Sequence, residues 1–397
     1  MGRLPLKDND FIRIRENRDY FVDKTGFIMD IVANSGIKAF LFMRPSGFGK
    51  SLNLDMLDAF FGINHADNRW FDGLKVSSDE ESMLKRNSYL VISLSLKALK
   101  TDGFDEFLSD FGSGLSDVYR RYTYLLEWET KSNRKAAFIE LMNGTSDEAI
   151  LRSSLLTLSE ILYEYHGRKT IVLIDDYDDA INGSFGKPAH REILGFVKGL
   201  LSNVLKSNDN LRFGVVTGIM QVSEESLFPD LNNLYMNTIF NKDFDEDFGF
   251  TENEVNEILE HHGHPKKMEE IRGRYGGYRF GDADMYNSRS ILNYIRNGFE
   301  MDPHCSDEVE LKMILKSVRM NGLFAIRIIK DLFKNKAVVS EIDRNMMITE
   351  LGDIESLLSL LVGSGYLKAI PIGDGSYELS IVNNEMRNGL LKQLISD

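Results

Sequence analysis

Only one cysteine, Cys305, occurs in 397 residues. That scarcity excludes an internal disulfide framework and a cysteine-based zinc site, and it suits a reducing cytoplasm, which is where the protein is expected. Prolines are few, at 7, and no Pro, Gln or Ser tract or long run of like charge interrupts the chain, so ordered structure is expected nearly throughout. No uninterrupted apolar run approaches the ~18 residues of a membrane span, and the N-terminus lacks the apolar stretch of a signal peptide. Positive charge is also short: 47 Lys and Arg against 61 Asp and Glu give a formal charge of −14. Broad electrostatic adhesion to nucleic acid or to an anionic membrane needs a basic field, so neither partner is favoured. What is plentiful is core material, with 43% hydrophobic residues, and the length suits two or three domains.

The most informative segment runs from Phe40 to Leu54. An apolar strand-like stretch, Ala39 to Met43, breaks into Arg44-Pro45-Ser46-Gly47-Phe48-Gly49-Lys50-Ser51-Leu52, and a helix-like segment from Leu52 to Phe61 follows. Strand, glycine-bearing turn and Gly-Lys-Ser at a helix start make a phosphate-binding loop. Its backbone N–H groups cradle phosphates, the lysine reaches the β and γ groups, and the hydroxyl ligates magnesium. Arg44 stands where the standard pattern has its first glycine.

A second element raises the value of the first. Ile171-Val-Leu-Ile174 is a short run rich in β-branched residues that ends in Asp175-Asp176, the way a buried parallel strand presents carboxylates at its C-terminal edge. With the upstream loop, this pair is read as magnesium ligand (Asp175) and water activator (Asp176). Leu211 to Val216 is a further buried strand, and Thr217-Gly218 at its end either senses a γ-phosphate or simply closes the strand.

The remaining pattern alternates strands and helices. Helices are expected from Lys24 to about Asn34 behind an Asp23 cap, over Phe104 to about Tyr122, from about Arg134 to Tyr165, and from His190 to Lys206; Tyr89 to Leu96 is a strand. Gln221 to Asn237 reads as a loop near the site. Thr251-Glu-Asn-Glu254 has capping-box spacing before a helix, and Tyr275 to Gly281 then Met285 to Leu292 read as a turn feeding another helix. The tail carries helices near Asp307 to Met320, Leu323 to Phe333 and Asp353 to Val362, then a hairpin across Gly373-Asp-Gly375. The expectation is an α/β P-loop NTPase, a parallel sheet with flanking helices over 1–242, followed by a helical lid over 243–302 and a winged-helix-like α+β domain over 303–397.

These pieces together resemble the bacterial and archaeal AAA-ATPase-like family, in this order: Tyr20-Phe-Val-Asp-Lys-Thr25, Arg44 to Leu52, Ile174-Asp-Asp-Tyr-Asp178, Thr217-Gly218, Asn232-Asn-Leu234, Gly277-Tyr-Arg-Phe280 with Tyr286-Asn287, and Ser364-Gly-Tyr-Leu367. The resemblance covers about residues 10 to 390. It implies that Arg44-Pro45 is the family's variant opening of the loop, with Ser46-Gly47 in place of its usual basic pair, and that Asp175-Asp176 stands for its usual Asp-Glu. The shorter Asp176 implies slowed hydrolysis. Family members often carry a nuclease-like domain of the PD-(D/E)XK type; the tail has no separated Asp and Glu-x-Lys set, so either the protein lacks that domain or it lies outside this sequence.

The functional expectation is an ATP-binding protein that hydrolyses ATP slowly with Mg2+ and acts as a conformational switch. Arg44 to Leu52 would bind the nucleotide, Ser51 and Asp175 the metal, and Lys50, Asp176 and Thr217 would act in catalysis. Among the arginines around the glycine turn, Arg272, Arg274, Arg279 and Arg289, the one in the family motif, Arg279, is the candidate for contacting the γ-phosphate, either from within the chain or from a neighbour as an arginine finger. The competing expectation is a winged-helix interaction or DNA-binding module whose nucleotide is structural or not hydrolysed. An unidentified protein partner or self-association is left open, and His261-His-Gly-His264 reads as helix-end histidines rather than a metal site.

Overall fold

In a computed structural model, the described residues are 3–5, 9–66, 68–128, 134–222, 234–300, 308–345, 347–348 and 352–389. Five parallel strands form the main sheet: β1 (Ala39–Met43), β2 (Leu90–Ser95), β3 (Thr170–Asp175), β4 (Leu211–Gly218) and β5 (Leu234–Asn237), in the order β2-β3-β4-β1-β5. Burial along the strands explains this order. Every residue of β1 is buried, as are all of β3 but its terminal aspartate and nearly all of β4; only a strand covered on both faces tolerates such continuous apolar sequence. By contrast β2 alternates buried and partly buried positions, and β5 is mostly half-buried. They are the edges.

Helices cover both faces. The helix Phe104–Arg120 sends Phe107 and Phe111 against Phe196 of the helix His190–Leu205, with ring centroids 5.4 and 5.0 Å apart. The expected helix from Arg134 to Tyr165 is two, Arg134–Met142 and Glu148–His166. Gly144 between them has φ +81, a conformation that ends helices, and Asp147 caps the second by accepting from Ile150 N at 3.0 Å. Near the N-terminus the helix is Gly26–Ala33 with Thr25, not Asp23, at its cap position. Asp23 instead accepts from Thr25 N and Thr25 Oγ1 at 3.0 and 2.6 Å.

The stretch expected as a loop from Gln221 to Asn237 ends in β5, paired in register with β1 from Ala39↔Leu234 to Phe42↔Asn237. Residues 223–233, and with them Asn232-Asn233, lie outside the described residues. After β5 the segment 250–296 has a core of its own around Val255, Ile258, Ile271, Ile291 and Tyr294. Its helices Glu252–His261, Met268–Tyr275 and Ser288–Arg296 surround a small antiparallel sheet of β6 (Phe250–Thr251), β7 (Tyr278–Phe280) and β8 (Ala283–Tyr286). The expected lid is therefore not purely helical: the stretch expected as a turn holds a hairpin. Its capping box is formed, with Glu254 N donating to Thr251 Oγ1 and Thr251 N to Glu254 Oε2.

In the tail, the helical run Glu308–Phe333 is broken at Gly322 (φ 58, ψ −136), so it amounts to two helices. A helix Ile354–Gly363 and a three-stranded antiparallel sheet follow, built from β9 (Val338–Glu341), β10 (Leu367–Gly373) and β11 (Ser376–Ile381) in the order β9-β11-β10. Gln221–Val222, just past β4, pairs with Met347–Ile348, which ties the tail to the main sheet. Among the described residues no helix is long and apolar enough to cross a membrane.

Candidate functional site

The C-terminal ends of β1, β4 and β3 lie side by side, because the register pairs Met43 with Gly218 and Ile174 with Val216. In open parallel sheets this edge is where ligands bind. At the end of β1 the chain turns through Gly47 and Gly49, with φ +84 and +81, and the helix Lys50–Phe61 begins. Lys50 is buried, and its ammonium donates to the carbonyls of Arg44 and Pro45 at 2.9 and 3.3 Å. Its charge therefore sits at the mouth of the loop.

Asp175 joins the three strand ends. One carboxylate oxygen, Oδ2, accepts from Ser51 Oγ at 2.5 Å; the other, Oδ1, accepts from Thr217 Oγ1 at 2.6 Å. The order of the sheet makes this possible, since β4 lies between β1 and β3. Neither spacing nor composition fixes that. Oxygen donors on a helix N-terminus and a strand end suit a hard cation: Mg2+ is commonly held by one or two carboxylates and the substrate's phosphates, so Ser51 and Asp175 fit it. Among the described residues no group of three or more His, Cys, Asp or Glu forms a fuller metal cluster.

The other aspartates of the turn are engaged as well. Asp176 has φ +47 and pairs with Lys97 Nζ at 3.0 Å. Lys97 follows β2 and was not among the residues the sequence singled out; its only signal is a cation just past a strand neighbouring the acidic one. Asp178 is buried and accepts from the backbone N–H groups of Ile219 and Met220 at 2.9 and 3.1 Å, fixing the turn after β4. Burial pushes its carboxyl up to about 6. Asp179 accepts from Ala98 N at 2.8 Å.

The outer face of the loop is held by the segment 250–296 and its approach. Asn287 Nδ2 donates to Ser46 O at 2.9 Å, Ser288 Oγ and Arg289 N donate to Gly47 O at 2.8 and 3.1 Å, and Gly249 N donates to Phe48 O at 2.9 Å. Each peptide is planar and trans, so a carbonyl fixed outward turns the N–H of the same peptide plane the other way, toward the concave side where an anion sits. Phe48 is buried between Tyr278 and Phe280, with centroids 5.0 and 4.9 Å away. Leu52 lies in the first helical turn, half-buried against the core.

The guanidinium groups of two candidate residues, Arg44 and Arg279, have other partners in this arrangement. The Arg44 guanidinium points into the protein, fully buried, and donates to Met43 O, Asn237 O, Asn237 Oδ1 and Phe244 O at 2.5 to 3.2 Å. Phe248 and Phe280 lie 5.0 and 5.2 Å from it. Burial pulls its pKa down to about 10, so it stays charged at neutral pH. Arg44 reaches the site only through its backbone carbonyl. Arg279 alternates outward from β7 and pairs loosely with Asp282 and Asp284 at 3.8 and 3.6 Å, away from Lys50 and Asp175. Of its neighbours, Arg272 bonds Glu252 and Arg274 lies 3.6 Å from Glu270. The histidines pack on rings, His261 on Tyr20 and His264 on Phe299, each at 4.5 Å.

Residues 5–228 match the family whose description is "Predicted AAA-ATPase". The chain belongs to this family. The match covers the loop, the acidic strand and Thr217 of the AAA-ATPase-like chain. The family's Tyr20 to Thr25 motif has a structural role here, because Lys24 Nζ donates to Glu254 Oε2 and Glu246 O, both at 2.6 Å, and Thr25 Oγ1 accepts from Val76 N. A curated relative, "Uncharacterized protein in vnfD 5'region" of Azotobacter chroococcum mcd 1, is 29% identical over 299 residues, 73% of this chain and 51% of the relative. The chain thus spans about half the length of that relative. A solved structure, "Structure of Drosophila ORC bound to AT-rich DNA and Cdc6", aligns over 97% of this chain and 94% of its own at 10% identity, but with a TM-score of 0.22; no argument rests on it.

Proposed function

We propose that the AAA-ATPase-like chain binds ATP with Mg2+ at the β1, β3 and β4 strand ends and hydrolyses it slowly. The observation that carries this reading is Asp175, whose two oxygens accept from the hydroxyls of Ser51 and Thr217, with Lys50 next to Ser51 at the start of the same helix. Those groups are the ones phosphoryl transfer needs. Backbone N–H groups from Ser46 to Lys50 receive the phosphates, and Lys50 exchanges its two carbonyl partners for the β and γ oxygens. Ser51 and Asp175 would hold Mg2+, which supplies charge neutralisation at the phosphates when bound. Thr217 gives up its bond to Asp175 to donate to the γ-phosphate.

Asp176 accepts a proton from the attacking water. Two features make that step slow: its carboxylate is one methylene shorter than glutamate, and the Lys97 ammonium competes for it. The loop's outward carbonyls are held by Asn287, Ser288 and Gly249, which supports a switch in which phosphate occupancy and the position of 250–296 bias each other. The tail, helices followed by a three-stranded antiparallel sheet, supports a winged-helix-like unit that such a switch would reposition. Steady-state phosphate release with Mg-ATP tests the reading: turnover in wild type and its loss in both Lys50→Ala and Asp176→Asn are expected, and unchanged turnover in either variant contradicts the assignment.

A further inference from the structure

A cavity of about 450 Å³ lies between Pro45, the β7–β8 hairpin and β10. Lys50, Ser51, Asp175, Asp176 and Thr217 do not line it, so it is separate from the nucleotide site; Pro45 is the one residue of the phosphate loop in its wall. Its charge is one-sided. Among the described residues, Lys242, Arg279, Arg344 and Lys368 line it against a single carboxylate, Asp282, with Asp284, which is not in the lining, 3.6 Å from Arg279 Nη1. The Asp282 carboxylate is already shared, at 2.6 Å from Lys242 Nζ and 3.8 Å from Arg279 Nη2. Most of the remaining wall is apolar, with Tyr278, Leu367 and Tyr377 among it, and low-dielectric walls strengthen the field of the cations over the opening.

The volume is that of a small-molecule site, which typically spans ~300–1,000 Å³ and combines an apolar lining with a few polar groups that fix orientation. We propose that this cavity binds a small organic anion, with a flat apolar body against Tyr278 and Tyr377 and a phosphate or carboxylate head among Arg279, Arg344 and Lys368. Arginine supplies the planar fork that matches such oxyanions. The wall is well formed where it meets the phosphate loop: a Cβ added at Gly365, whose φ is +77, would come within 3.1 Å of both Pro45 and Tyr278. This inference does not need the protein to bind ATP.

The probe is 2-naphthyl phosphate, with 2-naphthol as its neutral counterpart, titrated by calorimetry into the full chain. Wild type and Lys50→Ala are expected to bind the phosphate equally, the double variant Arg279→Glu/Lys368→Glu at least tenfold more weakly, and 2-naphthol at least tenfold more weakly than the phosphate. Circular dichroism melting checks folding, and Arg279→Gln/Lys368→Gln replaces the double variant if charge reversal disturbs the hairpin. No binding at millimolar probe, loss of binding in Lys50→Ala, or full binding in the folded cavity variant overturns the proposal.

Discussion

Arg44→Ala separates two accounts of the same residue. Its position at the head of the phosphate loop suggests a ligand contact, whereas the structure puts the guanidinium inside the protein with four oxygen acceptors and two aromatic rings around it. Truncation strands the acceptors of Asn237 and Phe244 and leaves a cavity between Phe248 and Phe280. Each stranded buried acceptor costs ~1–3 kcal/mol, so loss of the donor to Asn237 Oδ1 and Phe244 O costs ~2–6 kcal/mol together. At ~2–4 °C per kcal/mol for a unit of 150–250 residues, the midpoint of thermal unfolding falls by about 10 °C. Arg44→Lys keeps the charge but not the fork and falls by about half as much. Differential scanning calorimetry reads both midpoints, with ATP affinity measured below the transition. A wild-type midpoint combined with lost ATP affinity in Arg44→Ala would refute the reasoning.

Further outcomes follow from the same contacts. Gly47→Ala puts a Cβ within 2.6 to 3.1 Å of the Asn287 amide at φ +84, and it is expected to weaken ATP binding at least tenfold, with partial recovery in Gly47→Ala/Asn287→Ala; fluorescent-nucleotide titration decides. Lys97→Met frees Asp176 from its ion pair and should raise the rate of phosphate release several-fold, as a continuous phosphate assay would read. Asp178 has its folded pKa raised to about 6 from 3.8, so the folded state holds its proton more tightly and stability falls as pH rises between those values. The penalty reaches about 3 kcal/mol, from ~1.4 kcal/mol per unit. Asp178→Asn keeps an acceptor for Ile219 and Met220 and removes that dependence, so urea unfolding of the variant should show a smaller loss of stability from pH 4 to pH 7 than wild type.

The interior of the sheet was legible because burial on both faces demands continuous apolar sequence, and β1, β3 and β4 are written that way. The edge strand β5 was not: three of its four residues are half-buried, and only pairing with β1 makes them a strand. The break between Met142 and Glu148 rests on one glycine that a helical pattern tolerates on paper. At the site, Lys50, Ser51 and Asp175 are candidates from type and spacing alone, whereas the contact of Thr217 with Asp175 needs the strand order, which spacing does not give. The inward guanidinium of Arg44 was not legible, because most of its partners lie nearly two hundred positions away, with Asn237 at a separation of 193. The outward side chain of Arg279 follows from strand alternation in β7, which motif membership does not reveal. Lys97 needed the register of β2 against β3, which pairs Ser95 with Asp175.

The most direct test of the nucleotide site is equilibrium binding of Mg-ATP to wild type, Lys50→Ala and Thr217→Val, with melting curves confirming that each variant folds. Saturable binding in wild type, weakened at least tenfold in Lys50→Ala and less in Thr217→Val, is the predicted result. Equal affinity in wild type and Lys50→Ala would contradict it.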